Sequence, residues 1–291
     1  MMNVWSKIKK DRIAVSCLAI ILMIIIVGIF ANFFAPNDPL EINATLKFDG
    51  PSWEYPLGND QLGRCMLSRL IFGIRTSVLF VLVAMFATIS IGTILGIIAG
   101  YFKGKVDEVI MRVCDIVLSF PSEVMTLAIV GMFGTGLKNI LLACILMKWA
   151  WFARVFRSAV MKYTDKNYVM FSKASGCKTG HILRKHILPA IFPEIAVMAS
   201  NNISSQILMV SGLSFLGLGV QAPTPEWGMM LSEAKDAMLI HPYQMLPSGI
   251  AIMVMAVSFS FLGDSIRDAM DVKHEGYALK KNRFKRKRLA A

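Results

Sequence analysis

The sequence predicts an all-α protein that crosses a membrane six times, and three observations carry that expectation. Apolar residues make up 55% of the chain and charged residues only 17%, against about 25% charged in a soluble domain. The charges are also clustered, which leaves long stretches with almost none. Six of those stretches approach the ~20 apolar residues needed to span a hydrocarbon core: 13–34, 76–101, 108–133, 139–156, 190–218 and 244–264.

Residues 1–12 form a short cationic segment with Lys7, Lys9, Lys10 and Arg12. The charge-free run that follows, within 13–34, is too long for the core of a cleaved signal peptide and lacks a small-residue cleavage site. It is therefore expected as an uncleaved first span. Residues 35–75 are the largest piece outside the membrane, punctuated by Pro36, Pro39, Gly50, Pro51, Pro56 and Gly58. Asp60 is placed to cap a short amphipathic helix with Leu62, Met66, Leu70 and Ile71 on its apolar face. Such a helix lies on the membrane surface or covers a pathway mouth; a plain interfacial anchor fits equally.

A five-helix core is expected over 76–264. Its first span carries Gly92, Gly96 and Gly100 at four-residue spacing, on one helical face, which suits close helix packing in lipid. Glu123, just after Pro121, and Lys148 on the following span lie at membrane depth. Ionisable groups there usually face a cavity or one another, so pore lining and mutual pairing are both open. Glu194 lies only a turn from the boundary. Residues 265–291 form a basic tail that ends in KKNRFKRKR.

Orientation follows from the cations. Four precede the first span, two lie in the 102–107 turn, eight between Arg154 and Lys185, and nine from Arg267 onward, together 23 of 31. The positive-inside rule then sets both termini in the cytoplasm of a multi-pass protein of the cell (inner) membrane. The net charge of +12 is thereby an orientation signal with a tail near anionic lipid headgroups, not a nucleic-acid footprint.

Catalytic patterns are absent: the chain has no HExxH, no GxSxG and no paired acidic motif. Five scattered cysteines make neither a disulfide framework nor a metal site, and no residue is expected as a metal ligand. His181 and His186 are five apart, a spacing that does not share an α-helical face. His241, on the outer side, is the one histidine placed to meet an incoming metal-bearing substrate. Gly176-Cys177-Lys178-Thr179 resembles the end of a phosphate-binding loop. However, that motif needs Lys directly after its last Gly and another Gly where Phe171 stands. The chain is therefore not expected to bind ATP or any cofactor itself.

The cytosolic loop 157–189 reads as mechanics instead. Over 163–189 the sequence predicts two short helices: Asp165 capping the first, Gly176 ending it in a left-handed conformation, Thr179 capping the second and Pro189 ending it. Tyr168, Phe171, Ser172 and Ser175 share a face. Such a helix pair suits docking in a groove on another protein, and continued rigidly into the fifth span it would transmit a push.

This segment resembles the cytoplasmic EAA loop of ABC importer permeases, whose pattern is E-A-A-x3-G, a spacer and I-x-L-P. Gly176 matches the glycine, and His186-Ile187-Leu188-Pro189 matches the ending with a shifted Ile. Met170-Phe171-Ser172 stands where the family has Glu-Ala-Ala, which removes an acidic contact but not the helix. Four further stretches, YPLGNDQLGRCMLSRLIFGIRTS (55–77), DIVLSFP (115–121), LSFLGLGVQAPTPEWG (213–228) and FLGDSIRDAMD (261–271), resemble the dipeptide/oligopeptide/nickel permeases. Cys65 replaces a usual Asp and Val272 a frequent Pro. MFGTGLKN (132–139) and WAWFARVFRS (149–158) are most similar to the second permease subunit of nickel importers.

The resemblance implies a type I ABC importer permease fold. It also implies a homologous permease partner in a heterodimer, two ABC ATPase subunits that use the ATP, and an extracytoplasmic substrate-binding protein. The ATPase-coupling residues would be Tyr168, Met170, Phe171, Ser172, Gly176, Ile187 and Pro189. The cargo it implies is a transition metal (nickel, cobalt or zinc, free or as a metallophore chelate), with di- or oligopeptides as the alternative. A self-sufficient channel or secondary carrier is a weaker reading, since no internal repeat is visible.

Overall fold

A computed structural model describes residue 9 and residues 11–270. The expected 1–12 segment lies almost wholly outside the described residues, and so does the tail beyond Met270. Helix α1 spans Arg12–Ile29, and the Asp11 carboxylate accepts from the Ile13 N–H at its start. Helix α2, Met66–Ile74, runs through a π turn at Arg75–Leu79 into α3, Phe80–Phe102. Then follow α4, Gly104–Leu118, α5, Ser122–Phe133, and the long α6, Leu137–Thr164. Helix α7 is Asn167–Ala174. Helix α8, Thr179–Ile182, passes through a second π turn, Leu183–Ile187, into α9, Leu188–Phe215. Helix α10, Trp227–Lys235, and helix α11, Leu246–Met270, complete the order.

Among the described residues, four helical stretches are long and apolar enough to cross a membrane: Arg12–Ile29, Met66–Phe102, Leu137–Thr164 and Pro242–Met270. Helices α4 and α5 meet at 75° and together make a fifth if taken as one broken span. The expected third span, 108–133, is therefore two helices, broken where Pro121 lacks an N–H and disfavours helix in the residue before it. Helix α9 is 28 residues long, but Ser200, Asn201, Asn202, Ser204, Ser205 and Gln206 interrupt its apolar character. Two of them turn inward onto α11: the Ser200 hydroxyl donates to the Phe259 carbonyl at 2.9 Å and Ser204 to that of Ala256 at 2.7 Å.

The second expected span starts earlier than its hydropathy suggests, because α2 is continuous with it. Asp60 does not cap α2; Cys65 occupies that position. Asp60 instead receives Arg64 (2.7 Å) and Arg69, and both guanidiniums also meet Glu233 of α10, at 3.0 and 2.7 Å. All four side chains are close to fully buried. Two arginines of the segment expected outside the membrane are thereby paired with two carboxylates. Arg75 caps α1 by donating to the Gly28 and Ile29 carbonyls at 2.9 and 3.1 Å, which that helix end would otherwise leave unpaired.

Helix α10 is locked to the π turn between α2 and α3. The buried Glu226 carboxylate accepts from the Met229 N–H at 2.7 Å and the Ser77 hydroxyl at 2.9 Å. The Trp227 indole donates to the Leu70 carbonyl at 2.9 Å, its ring lying where a side chain on Gly73 would stand. His241 stacks on Phe48 with centroids 4.2 Å apart, so it pins the outer segment rather than standing free in solvent.

The central seam joins α3 to α6. A Cβ on Gly92 would lie 2.5 Å from the Phe152 Cβ, on Gly96 2.7 Å from the Ala153 carbonyl oxygen, and on Gly100 2.8 Å from that of Arg157. Phe152 and Phe156, fully buried, anchor the main core behind this seam. Toward the C-terminal end of α6, Arg157 pairs with Asp107 and Arg154 with Asp115, which ties α6 to α4.

Because backbone atoms of α6 cannot yield locally, Gly96→Ala is expected to cost about 1–3 kcal/mol. Gly131→Ala on α5, with nothing within 4 Å of the added carbon, should be neutral or slightly stabilising. Thermal unfolding of the two variants in the same detergent checks this; equal midpoints would mean the seam is slack.

Candidate coupling loop and membrane-depth polar groups

The chain leaves α6 at Thr164, where Asp165, expected to cap the next helix, instead holds Lys103 Nζ at 2.9 Å through both carboxylate oxygens. Lys166 precedes α7, with no side-chain cap. At the other end of α7, Gly176 has φ of +75°. The Gly176 N–H reaches the Lys173 carbonyl and the Cys177 N–H that of Ser172, both at 3.1 Å. This paired 5→2 and 6→1 pattern satisfies helix-terminal carbonyls and needs a left-handed residue, which glycine supplies without strain.

The loop has its own small core. Val169, Ile182 and Ile187 are fully buried against Ala159, Val160 and Ile191, with Ile97 and Tyr101 of α3 alongside. Ser172 also turns inward, donating to the Tyr168 carbonyl at 2.9 Å and lying 3.3 Å from His186 Nε2. Tyr168, Met170 and Phe171 face outward, at 45%, 52% and 73% exposure. The face shared in the sequence by Tyr168, Phe171 and Ser172 is thus divided: Ser172 and Ile187 hold the loop to the bundle, and the aromatic and thioether groups are presented. Partial burial pushes the Tyr168 phenol above its usual pKa, so at neutral pH it is an uncharged donor and acceptor.

Thr179 is the first residue of α8 rather than its cap, which is Lys178. Pro189 does not end the helix. Its ring and missing N–H are accommodated by the π turn at Leu183–Ile187, and helix continues without a break from Thr179 to Phe215. The same widened turn brings His181 and His186 onto a common side, with ring centroids 6.1 Å apart. The α-helical five-residue argument missed this, because nothing short of the Pro189 conflict signals a π turn.

Glu123 is exposed at the start of α5 and accepts from the Ser122 hydroxyl at 2.9 Å. Lys148 is half-buried on α6. Among the described residues the two form no ion pair. Glu194 does have a partner, Lys162 at 3.5 Å. Below them a groove of about 450 Å³ opens among α6, α9 and α11, lined by Arg154, Ser158, Lys162, Met198 and Arg267. Among the described residues no three His, Cys, Asp or Glu side chains gather to hold a metal. Sequence reasoning missed the Asp60–Arg64–Arg69–Glu233 cluster and the Glu226–Ser77 lock. Two arginines in the segment expected outside the membrane were the available signal for the first.

Comparison with known proteins gives a consistent set of matches. The model of the family described as "binding-protein-dependent transport system inner membrane component" matches residues 92–273, and that of the "N-terminal TM domain of oligopeptide transport permease C" matches residues 1–51. The chain is 47% identical over 270 residues to the metal-staphylopine import system permease protein of Staphylococcus aureus, covering 93% of both chains. It is 37% identical over 269 residues to the dipeptide transport system permease protein of Alkalihalophilus pseudofirmus, covering 92% of this chain and 88% of that one. To the nickel transport system permease protein of Escherichia coli it is 35% identical over 254 residues, covering 87% and 92%. A methionine ABC transporter solved in inward-facing conformations shares the fold at a TM-score of 0.56 and 16% identity, covering 70% of this chain and 98% of that one.

The inward and outward sides of the loop should separate in stability measurements. Ile187→Ala removes fully buried atoms and is expected to cost about 2–5 kcal/mol, whereas Phe171→Ala at the exposed tip should stay within about 0.5 kcal/mol. Thermal melts of the purified chain check the difference; a comparable loss from both would place Phe171 in the folded core.

Proposed function

The chain belongs to the family of binding-protein-dependent transport system inner membrane components, and from that premise we propose that it forms half of the translocation path of an ATP-driven importer carrying a transition metal as a chelate. The observation that carries the mechanism is the unbroken helix from Thr179 to Phe215, joined to a loop that presents Tyr168, Met170 and Phe171. Two cytosolic ATPases grip this loop and the equivalent loop of a homologous permease. Gly176 sets the bend between the gripped helix and the transmitting one, while Ser172, Ile187 and Pro189 fix the transmitting helix to the bundle. Closing of the ATPases on ATP biases a two-state packing equilibrium of the spans. An extracytoplasmic binding protein delivers cargo to the outer segment, 35–75.

Six spans follow on this reading, with α9 as the one its composition leaves out. At ~1.5 Å rise per residue its 28 residues extend about 42 Å, longer than a ~30 Å hydrocarbon core. Ser200 and Ser204 are acceptable at that depth because they are buried and donate to α11 carbonyls. Both termini are cytoplasmic, with 1–12 and 265–291 as the flanking segments and 76–264 as the permease core including loop 157–189. Glu123 and Lys148 line the path. The chain hydrolyses no ATP, since the Gly-Cys-Lys-Thr segment is a helix terminus and not a phosphate cradle.

Metal chelate is preferred as cargo because identity to the metal-staphylopine permease, 47%, exceeds the 37% to the dipeptide and 35% to the nickel permease. Import of di- or oligopeptides is the alternative. Co-expression with neighbouring chains should recover an ATPase with the wild-type protein. Phe171→Asp, or Gly176→Asp at a left-handed glycine, should reduce that recovery and uptake by about tenfold or more. Full recovery with both variants would overturn the coupling role. The ligand that most stimulates ATP hydrolysis in the reconstituted complex distinguishes chelate from peptide.

A further inference from the structure

Two histidines stand side by side on the 157–189 loop, and the proposed coupling role uses neither. His181 lies on α8 and is exposed; His186 lies in the π turn that follows and is partly buried. Their ring centroids are 6.1 Å apart, with the planes at 66°. A metal–nitrogen bond of about 2.0–2.1 Å sets the centroids of two imidazoles on one ion roughly 4.5–6.4 Å apart, for N–metal–N angles from ~90° to ~180°. The pair falls within that range, and a small turn of the exposed His181 ring closes the angle further.

The loop also prepares the inner ring. Ser172 donates its only hydroxyl hydrogen to the Tyr168 carbonyl at 2.9 Å, so toward His186 Nε2, 3.3 Å away, its oxygen can only accept. The hydrogen is thereby assigned to Nε2, and the neutral ring keeps its lone pair on Nδ1, the atom left for a metal. Ligand histidines are commonly fixed in this way, by a hydrogen bond from the other ring nitrogen. The segment 166–193 contains no carboxylate, and Lys178, Arg184 and Lys185 flank the pair in the sequence. A hard ion such as Mg2+ therefore finds no suitable ligand, whereas imidazole suits nickel, copper and zinc.

We propose that His181 and His186 form a site for a divalent transition metal of the nickel–copper–zinc group, with waters completing its coordination. Two protein ligands hold an ion less tightly than the three or four of a catalytic or structural zinc site, so it exchanges with the surrounding solution. The Tyr168 ring, part of the presented face, is 5.9 Å from that of His186. A hydrated ion there stands beside the surface that an ATPase grips, and it braces α8 against the π turn. Metal accumulating on the loop side thus slows ATP hydrolysis; this consequence, unlike the site itself, rests on the permease reading above.

Calorimetric titration of the untagged full chain in detergent with Zn2+, Ni2+ and Mg2+ tests the site. Wild type is expected to bind Zn2+ and Ni2+ but not Mg2+. His181→Gln and His186→Gln should each weaken that binding by roughly tenfold or more, and Ser172→Ala by a similar factor through the lost tautomer. Absence of binding to wild type, or equal affinity in His181→Gln, overturns the site. If His186→Gln lowers the melting midpoint through its lost bond to Ser172, the exposed His181→Gln still decides. In the complete complex, Zn2+ should slow hydrolysis by wild type several-fold and by His181→Gln little, from equal rates before metal is added. Equal inhibition of both overturns the regulatory role. Failure of any ATPase to associate with wild type would overturn the permease reading instead, and the titration would still decide the site.

Discussion

Close contact between α3 and α6 is the interaction on which the remainder of the fold depends. In lipid, apolar side chains gain nothing by leaving one apolar surface for another, so helices associate through van der Waals contact of backbones. Gly92, Gly96 and Gly100 bring α3 against Trp149, Ala153 and Arg157 of α6 at every turn. That seam sets where Phe152 and Phe156 enter the core. It also sets where Asp107 and Asp115 on α4 meet the two arginines of α6, and it sets the platform of Ala159, Val160, Ile97 and Tyr101 beneath the 157–189 loop.

The second governing constraint is polar satisfaction without water. It explains features that otherwise look unrelated: Arg75 on the last carbonyls of α1, Glu226 on the first N–H groups of α10, and the α9 serines on α11 carbonyls. It also explains how two arginines can be almost fully buried: Arg64 and Arg69 are bound by Asp60 and Glu233. Replacing one member alone would leave an uncompensated buried charge, and the four are best regarded as a single structural unit.

The features legible in the sequence were those written in local periodicity. The glycine spacing, the left-handed Gly176 and the charge clustering all depend on neighbours within a few residues, whereas the break at Pro121 was read as part of one span, 108–133. What was not legible depends on distant partners. Asp60 was assigned to a helix cap because its partner Glu233 lies far along the chain, and Ser172 was assigned to a docking face because its inward turn follows from Val169 and Ile182 packing beneath it. The six-span count met a similar limit: α9 is long enough, yet its polar residues are intelligible only beside α11. Both π turns were missed, because Thr76 and Ser77 in one and the Pro189 conflict in the other gain meaning only once a helix is seen to continue through them.

Under the proposed mechanism the location of stiffness decides what the loop can move. The loop core contacts α3 and α6 together, and α6 is fixed to α3 by glycine contacts that leave no room to slide. A force on Tyr168, Met170 and Phe171 therefore cannot shift α6 along α3; it rotates the pair as one body. Helix α9 receives the same force through α8, with which it is continuous across the π turn. Its inward serines are bound to α11, which in turn packs on α1. Ile187 and Ile191 pack on Ala159 and Val160, and Ile207 and Val210 share one core with Phe152 and Phe156. Under the proposed mechanism α9 is therefore held to the α3–α6 pair along its length, and a push on the loop moves these helices together rather than sliding one past another.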